Sequence, residues 1–600
     1  MIKLSDFVFD FLVEKGVSNI FLVSGGGIMH LIDSVKRNEG LSYICNHHEQ
    51  ACAIAAESYA RFKNNPGVCL VTTGPGALNA LSGIAGAWVD SLPVLVISGQ
   101  VRRDLIADYS KLRQYGPQEI NIIDMVKPVT KYAKTIMDPT TIKYELEYAI
   151  DQATSGRPGP VWINIPLDIQ ASMIDIETLT TYQKAETATF PVAKAKTMVQ
   201  KTLDMLYSSE RPVLLLGAGI RLANGVDAVM KLINLLRIPV LSNIGAIDIL
   251  DEDHPLFLGR FGPIGQRRAN FTLQNADLII SLGASMSIGS IGFNTKGFAP
   301  GAKRIMVNID REELQKPSFV PDLAVHADLK WFVNELHSCV DKDNLKIDKD
   351  WIKVCNNWKM NYPTITPDYY EDKNHVNSYV FADCLSEFLG KNAVVVTGNS
   401  LDIVSVYHSF KVKPGQRVYT NINLGAMGWD LPGVVGACIG NNKRETVLMT
   451  GDGSVQFNIQ ELNTISYNKL PIKIFVLNNQ GYESIRSTQK NFFNGNFIGA
   501  DIKSGIGNPN FKKLAETYNI HYENIGTNDE IKLKLKSVFS FDGPVICELM
   551  LSYTQGRSPK IVSVRRDDGT MESKPLEDQY PFLPKEELIR NMSYFGRKIN

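Results

Sequence analysis

Short apolar runs that alternate with longer helical stretches constrain the fold of this 600-residue chain more than any other feature. The runs are mostly bounded by Gly, Pro or Asn. They lie at residues 20–24, 68–73, 94–98, 213–216, 278–282, 305–309, 393–397, 447–450 and 472–477. This alternation is typical of βαβ units, so it predicts an α/β fold built from parallel sheets.

Two stretches without periodicity divide the chain. The first, at about residues 174–196, is polar and Thr-rich and is typical of a linker. The second lies near residues 341–374, where charged residues and prolines interrupt the pattern. The role of the C-terminal tail is left open between a lid, a subunit contact and disorder. The predicted units are three α/β domains at residues 1–175, 195–340 and 373–552, and the tail at residues 553–600.

Composition excludes several classes of protein. The 63 Lys and Arg residues balance the 63 Asp and Glu residues, so no overall charge attracts nucleic acid or an anionic membrane. No apolar run approaches the roughly 18 residues that a membrane span needs. The eight cysteines are scattered, without a Cys-x-x-Cys pair or a Cys/His cluster at zinc spacing. We therefore expect a cytoplasmic protein with reduced cysteines, and neither nucleic acid nor a membrane as partner.

A βαβ unit in the last domain places polar residues after two strands. The strand at residues 447–450 runs into the sequence GDGS, a helical stretch follows, and the strand at residues 472–477 ends in NNQG. Open α/β sheets bind ligands at this edge. The glycines allow a phosphate to approach, and Asp452 and Asn479 supply oxygen ligands that suit Mg²⁺. A Gly-Asp-Gly sequence alone is also found in ordinary turns.

The complete array resembles the thiamine diphosphate binding motif, because twenty-four residues separate Gly-Asp-Gly from Asn-Asn. The resemblance implies that Asp452 and Asn479 bind the metal through their side chains and Gly481 through its carbonyl oxygen. The other residues that it implies around the cofactor are Gly451, Gly453, Ser454 and Tyr482.

Glu49 precedes a helical stretch of small residues. Taken alone, the spacing favours an ordinary glutamate that the helix dipole stabilises in a first helical turn. The surrounding sequence, HEQACAIAAESYARFKNNPGVCLVTTGPGALN, resembles the N-terminal domain of the acetolactate synthase group of thiamine diphosphate enzymes. In that family the matching glutamate hydrogen-bonds the pyrimidine N1′ of the cofactor and favours the tautomer that deprotonates the thiazolium carbon.

The same resemblance implies further site residues. Met427 matches a methionine that packs under the cofactor, although a lone methionine is more often core filler. The residues predicted to be catalytic are Glu49, Gln118 and Met427. Those predicted to line the cofactor besides the metal motif are Thr73, Gly74, Pro75, Gly76, Asn79, Gly425 and Ala426.

The resemblance runs from about residue 4 to residue 552 and implies three doubly wound domains: pyrimidine-binding, central and diphosphate-binding. The central domain resembles the one that carries FAD in acetolactate synthases. However, residues 217–219 (GAG) lack the third glycine of a dinucleotide signature. Residues 284–290 (ASMSIGS) replace an arginine segment that binds the acceptor carboxylate and contacts the flavin. FAD is therefore left open.

The segment at residues 478–489 resembles carboligases of branched-sugar pathways instead. Those enzymes add a two-carbon unit from pyruvate to a nucleotide-linked keto sugar. Arg486 and Gln489 are then candidates to contact the acceptor, although Arg486 is equally consistent with a surface cation.

We therefore expect a carboligase that depends on Mg²⁺ and thiamine diphosphate, decarboxylates pyruvate or a similar 2-keto acid, and transfers the two-carbon unit to a carbonyl acceptor. The acceptor is either a second 2-keto acid or a nucleotide-linked keto sugar. A decarboxylase that releases aldehyde is the nearest alternative, and a catalytically silent scaffold is another. The resemblance also implies a homodimer or homotetramer, because one chain's glutamate serves a cofactor whose diphosphate lies on another chain.

Overall fold

Three six-stranded parallel sheets follow one another along the chain in a computed structural model that describes residues 1–184, 190–566 and 568–593. The predicted α/β fold with parallel sheets is confirmed, and each of the nine predicted strands overlaps an observed strand. Residues 185–189 of the predicted linker, and residues 567 and 594–600 of the tail, lie outside the described residues. No helix in the described ranges combines the length and apolar composition needed to cross a bilayer.

The first sheet lies in the N-terminal part of the chain. Its strands, and two further strands that pair antiparallel, are β1 (Ile2–Lys3), β2 (Asn19–Leu22), β3 (Ser42–Cys45), β4 (Gly67–Val71), β5 (Val94–Gln100), β6 (Tyr132–Thr135), β7 (Val161–Pro166) and β8 (Met173–Ile174). The helices are α1 (Leu4–Glu14), α2 (Met29–Arg37), α3 (Glu49–Lys63), α4 (Pro75–Val89), α5 (Ile122–Val126), α6 (Ile142–Thr154) and α7 (Leu167–Gln170). The strand order is β3-β2-β4-β5-β7-β6, and β1 pairs with β8.

The strands of the central sheet are β9 (Pro212–Leu216), β10 (Val240–Ser242), β11 (Phe257–Arg260), β12 (Leu278–Leu282), β13 (Lys303–Asn308) and β14 (Leu323–His326). Their order in the sheet is β11-β10-β9-β12-β13-β14. The helices of this part are α8 (Val192–Tyr207), α9 (Gly219–Leu222), α10 (Val226–Leu236), α11 (Arg267–Asn275), α12 (Ile288–Ile291), α13 (Leu329–Cys339) and α14 (Trp351–Asn361). α14 was not predicted from the sequence, because it lies inside the second aperiodic stretch.

The C-terminal sheet consists of β15 (Val394–Thr397), β16 (Arg417–Tyr419), β17 (Thr446–Gly451), β18 (Ile472–Asn478), β19 (His521–Ile525) and β20 (Val545–Met550). Its order is β16-β15-β17-β18-β20-β19. The helices are α15 (Ser378–Phe388), α16 (Leu401–Ser409), α17 (Asp430–Gly440), α18 (Glu461–Tyr467), α19 (Glu483–Phe493), α20 (Phe511–Thr517) and α21 (Ile531–Ser540).

One apolar core joins the first and third sheets, because it includes Val71 and Val96 from one and Val396 and Leu448 from the other. α3 and α17 pack in this core. Their Ala and Gly residues allow the two helices to approach closely, as the small side chains of α3 predict. The start of α3 is thereby brought towards the C-terminal sheet.

The described part of the tail packs on the central sheet. It contains β21 (Ser563–Arg565), β22 (Met571–Ser573) and α22 (Lys585–Ser593). Leu576 and Met592 are buried in the same cluster as Trp358 of α14. Trp358 Nε1 donates a hydrogen bond to Asn591 Oδ1 at 3.0 Å. The tail and α14 therefore cover one face of the central sheet together.

Candidate active site

A buried carboxylate lies at the carboxyl edge of the C-terminal sheet. β17 ends at Gly451, and Asp452 follows and is 2% exposed. Its Oδ2 accepts hydrogen bonds from Gly481 N at 2.9 Å and from Asn508 Nδ2 at 2.6 Å. Burial raises the pKa of the Asp452 carboxyl to about 6, and these hydrogen bonds oppose the shift. A bound cation would favour the charged form of this carboxyl.

Asn479 supplies a second oxygen at the same edge, because β17 and β18 are parallel neighbours. Its side chain is buried, and Oδ1 has no hydrogen-bond partner among the described residues. A buried amide oxygen without a partner is unfavourable unless a ligand satisfies it. Within the described ranges no group of three or more His, Cys, Asp or Glu could hold a metal ion. Mg²⁺ commonly uses only one or two carboxylates with other oxygens, so the two side chains fit such an ion.

The GDGS turn continues under an aromatic ring. A Cβ at Gly453 would lie 2.0 Å from Tyr482 Cε1, so only glycine fits there. Ser454 begins a 3₁₀ turn (Ser454–Asn458), and its Oγ accepts a hydrogen bond from Gly428 N at 3.0 Å. This turn and α18 (Glu461–Tyr467) together occupy the helical stretch that the sequence predicts between the two strands.

The loop before α17 carries the predicted methionine. Gly425 has a φ of +60°. Its N–H donates a hydrogen bond to Asn421 Oδ1, and its carbonyl oxygen accepts one from Asn399 Nδ2. Ala426 packs against the core shared by the first and third sheets, and Met427 is half-buried. We call the residues of this loop and of the two strand ends the C-terminal cluster: Gly425, Ala426, Met427, Gly451, Asp452, Gly453, Ser454, Asn479, Gly481 and Tyr482.

Glu49 is the first residue of α3 and is half-buried. Its Oε2 accepts a hydrogen bond from Asn79 Nδ2 at 3.0 Å. Thr73 follows β4, and its buried Oγ1 has no partner among the described residues. An unsatisfied hydroxyl therefore lies at the carboxyl edge of the N-terminal sheet.

The other predicted residues on this side lie against Glu49 or its neighbours. Pro75 begins α4. A Cβ at Gly74 would lie 1.9 Å from Gln118 O, and one at Gly76 would lie 3.1 Å from Glu49 Oε1. The structure thus brings one set of residues together, which we call the N-terminal cluster: Glu49, Thr73, Gly74, Pro75, Gly76, Asn79 and Gln118.

The two clusters lie on elements that are tied to each other. Asn46 Nδ2 and His47 N, just before α3, donate to Glu461 Oε2 and Oε1 at 2.8 and 2.9 Å. Glu461 begins α18, shortly after the GDGS turn. Within the part of the chain that the structure describes, however, no hydrogen bond joins a member of one cluster to a member of the other. The two groups of predicted site residues are therefore not in direct hydrogen-bond contact.

Arg486 and Gln489 lie on α19, and both are engaged within the chain. Arg486 is 5% exposed and donates to the carbonyl oxygens of Asn479 at 3.0 Å and Tyr553 at 3.2 Å. It is therefore not a surface cation. Gln489 is half-buried. Its Nε2 donates a hydrogen bond to Ile498 O and its Oε1 accepts one from Ile498 N, each at 3.0 Å.

A cavity of about 860 Å³ lies between the central sheet and its neighbours. It opens at the ends of β9 and β12, where the strand order reverses, and such positions bind nucleotides in open sheets. Its walls include Gly219, Gly283 and Ser285. Two cations that were not predicted from the sequence lie there: Arg157 donates to Asp310 Oδ2 at 2.8 Å, and Lys316 Nζ donates to Ser285 O at 3.0 Å. They come from different domains, so no local pattern signals them.

Two buried aspartates that were not predicted from the sequence lie beside the GDGS turn. A Cβ at Gly398 would lie 2.1 Å from Asp402 Oδ2 and 2.9 Å from Asp430 Oδ2. Asp430 also accepts a hydrogen bond from Thr450 Oγ1. Burial, and then the charge of Asp430, raise the pKa of Asp402 to about 7. The two residues lie on α16 and α17, so their proximity has no sequence signal.

Comparisons with known proteins match all three sheets to one family. Residues 2–125 match the thiamine pyrophosphate enzyme N-terminal TPP binding domain, residues 199–336 its central domain and residues 397–549 its C-terminal TPP binding domain. Thiamine pyrophosphate is another name for thiamine diphosphate.

Similar proteins align along almost the whole chain. The acetolactate synthase large subunit of Cyanidium caldarium is 31% identical over 566 residues, which cover 92% of this chain and 94% of that protein. The acetolactate synthase isozyme 1 large subunit of Escherichia coli is 29% identical over 557 residues, 93% and 95% of the two chains. The probable acetolactate synthase large subunit of Methanocaldococcus jannaschii is 31% identical over 552 residues, 90% of each chain.

Proposed function

Because the chain belongs to the thiamine pyrophosphate enzyme family, we propose that it decarboxylates pyruvate, or a similar 2-keto acid, and transfers the acetyl unit to a carbonyl acceptor. The observation that carries the proposal is the buried Asp452 carboxylate beside the unsatisfied Asn479 oxygen. A scaffold that had lost activity would have no use for this pair together with Glu49.

Asp452 Oδ, Asn479 Oδ1 and the Gly481 carbonyl would hold Mg²⁺, and the ion would bind the diphosphate of the cofactor. Gly451, where a Cβ would meet nothing within 4 Å, would leave room for a phosphate, and Ser454 lies in the same turn. Thiamine pyrophosphate, when bound, supplies an acidic carbon that adds to a keto group and accepts the electrons left by departing CO₂.

Residues of the N-terminal cluster would act on the other end of the cofactor. Glu49 would share a proton with the pyrimidine N1′, and Asn79 orients the Glu49 carboxylate through the 3.0 Å hydrogen bond. The backbone of Gln118 lies against Gly74, so Gln118 belongs to the same cluster.

Met427 of the C-terminal cluster, between Gly425 and Gly428, would support the cofactor from below.

Two acceptors compete, each with an observation in its favour. The relatives are named acetolactate synthases, which supports a second 2-keto acid. Residues 284–290 contain no arginine to bind a second carboxylate, which favours a nucleotide-linked keto sugar. Acceptor contact by Arg486 and Gln489 stays a prediction.

The cavity at the ends of β9 and β12 is our proposed FAD site. Its volume and its position at the reversal of strand order support a dinucleotide. Purified protein should then carry a flavin absorbance spectrum that is lost on denaturation and filtration. Protein that stays colourless after incubation with FAD would contradict this part of the proposal.

The test of the reaction follows pyruvate consumption with Mg²⁺ and thiamine pyrophosphate, while CO₂ and acetolactate are measured together. Stoichiometric acetolactate identifies a second pyruvate as acceptor. CO₂ and free acetaldehyde without acetolactate would leave the acceptor to be found, and nucleotide-linked keto sugars would then be added. The Asp452→Ala protein is the control for contaminating activity. If no 2-keto acid is consumed under any of these conditions, the proposed function is wrong.

A further inference from the structure

Arg486 is a buried cation directly behind the metal loop, which we define as residues 479–481. Its guanidinium donates to Asn479 O at 3.0 Å, Gln480 O at 3.3 Å and Tyr553 O at 3.2 Å. Among the described residues it forms no ion pair within hydrogen-bonding distance. Arginine is seldom buried without a paired carboxylate, so this one needs another explanation.

The metal loop has a backbone that requires external support. Gln480 has a φ of +64° and Gly481 a φ of +130°, and the left-handed region is unfavourable for the side chain of Gln480. Arg486 binds the two successive carbonyls before Gly481. Fixing these peptide planes restricts the backbone from which the unpartnered Asn479 side chain and the Gly481 carbonyl extend.

Tyr553 links Arg486 to Asp501, and Asp501 contacts the metal loop again at Gly481. Its ring centroid lies 4.1 Å from the Arg486 guanidinium carbon, and its hydroxyl donates to Asp501 Oδ2. Asp501 in turn forms a backbone bridge with Gly481. The loop, Arg486, Tyr553 and Asp501 therefore support one another, and Tyr553 lies where the chain leaves the C-terminal sheet for the tail.

We propose that Arg486 and Tyr553 are positioning residues that hold the metal loop in the conformation that binds the divalent cation. The inference rests on the proposed metal site and assigns Arg486 a different role from acceptor contact. A planar guanidinium reaches two carbonyls and stacks on a ring at once, which a lysine ammonium cannot do.

The experiment measures Mn²⁺ binding, with Mn²⁺ in place of Mg²⁺, thiamine pyrophosphate present and substrates absent. Free Mn²⁺ is counted by electron paramagnetic resonance, so the readout is independent of activity. The variants are Arg486→Lys, Tyr553→Leu and Tyr553→Phe. Lys490→Met is the matched control, because Lys490 is exposed on the same helix. Thermal unfolding checks that each variant is folded.

Groups that support metal ligands commonly contribute about 10- to 100-fold to metal affinity. We expect Arg486→Lys to weaken Mn²⁺ binding by about that factor and Tyr553→Leu by a smaller one. Tyr553→Phe keeps the stacking but loses the hydrogen bond to Asp501, so it should lose less affinity than Tyr553→Leu. Lys490→Met should match wild type. With saturating metal, the KM for the acceptor should stay unchanged in Arg486→Lys.

Three outcomes would overturn the inference. Unchanged Mn²⁺ affinity in Arg486→Lys with a raised acceptor KM would make Arg486 an acceptor contact. If Arg486→Lys does not fold, unchanged Mn²⁺ affinity in Tyr553→Leu would overturn the positioning role instead. Wild-type protein that binds no Mn²⁺ would overturn the proposed metal site, and this inference with it.

Discussion

Glu49 begins α3 beside the Asn79 amide, in a half-buried position that a cofactor ring could cover. We expect Glu49→Gln to lower kcat for pyruvate decarboxylation by about 10²- to 10⁴-fold, because glutamine cannot share a proton with the pyrimidine nitrogen. Mn²⁺ and cofactor binding should change little. Glu14→Gln, at the exposed end of α1, is the control. A Glu49→Gln enzyme with wild-type kcat would remove Glu49 from the mechanism.

Asp402 makes the stability of the fold depend on pH. Its pKa is raised to about 7 in the folded chain by burial and then by Asp430. The pKa of an aspartate in an unfolded chain is about 3.9. Between these two pKa values the folded state therefore binds more protons than the unfolded state does. The free energy of unfolding therefore falls as pH rises from about 4 to about 7.

Asp402→Asn should remove this loss of stability, since asparagine does not titrate. The difference in Tm between the variant and wild type should become more positive from pH 5 to pH 8, as thermal unfolding at both values would reveal. Asp227→Asn, an exposed aspartate on α10, should leave the difference constant. A constant difference for Asp402→Asn would mean that Asp402 is charged throughout.

At the scale of elements, α3 is linked to the loop before α17 by a buried charge network. Arg61 Nη2 bonds Glu57 Oε1 at 2.5 Å and Asp90 Oδ2 at 2.6 Å. Trp429 Nε1 donates to Glu57, and the backbone N–H of Asn423 donates to Asp90. The helix that begins with Glu49 thereby holds the loop that carries the predicted methionine.

Asp90→Ala should destabilise the protein by about 3–5 kcal/mol, because it leaves Arg61 buried with half of its partners. Urea unfolding followed by tryptophan fluorescence measures the change. Asp227→Ala is the exposed control. If the free energy of unfolding falls by less than about 1 kcal/mol, the network is exposed to water, where ion pairs contribute little to stability.

At the scale of the whole molecule, no hydrogen bond joins the two clusters among the described residues of one chain, and we expect a second chain to complete each site. Exposed apolar side chains near the C-terminal cluster, Leu424, Phe457 and Ile485, are available to such a partner. A second copy would bring its own N-terminal cluster to this surface.

Mixing Glu49→Gln protein with Asp452→Ala protein tests this arrangement. In a shared site, random exchange makes half of the dimers hybrid, each with one intact site, so activity should recover to about a quarter of wild type. Differently tagged chains verify that exchange has occurred. Exchange without any recovery would mean that each chain builds its site alone.

The sequence by itself determined the parallel α/β fold and the metal motif. Apolar runs of strand length predict the strands, and Asp452 and Asn479 belong to one βαβ unit whose parallel strands end at one edge. Such information lies within a few dozen neighbouring residues. The resemblance added the N-terminal cluster, whose members also come from consecutive elements of one sheet.

Only the tertiary structure decided which partners the remaining groups have. Arg486 stacks on Tyr553, which lies 67 positions further along the chain. The tail joins α14 over the central sheet, and Arg157 reaches Asp310 of another domain. These contacts depend on how separate elements pack against one another. A local hydrophobic or turn pattern does not predict that packing.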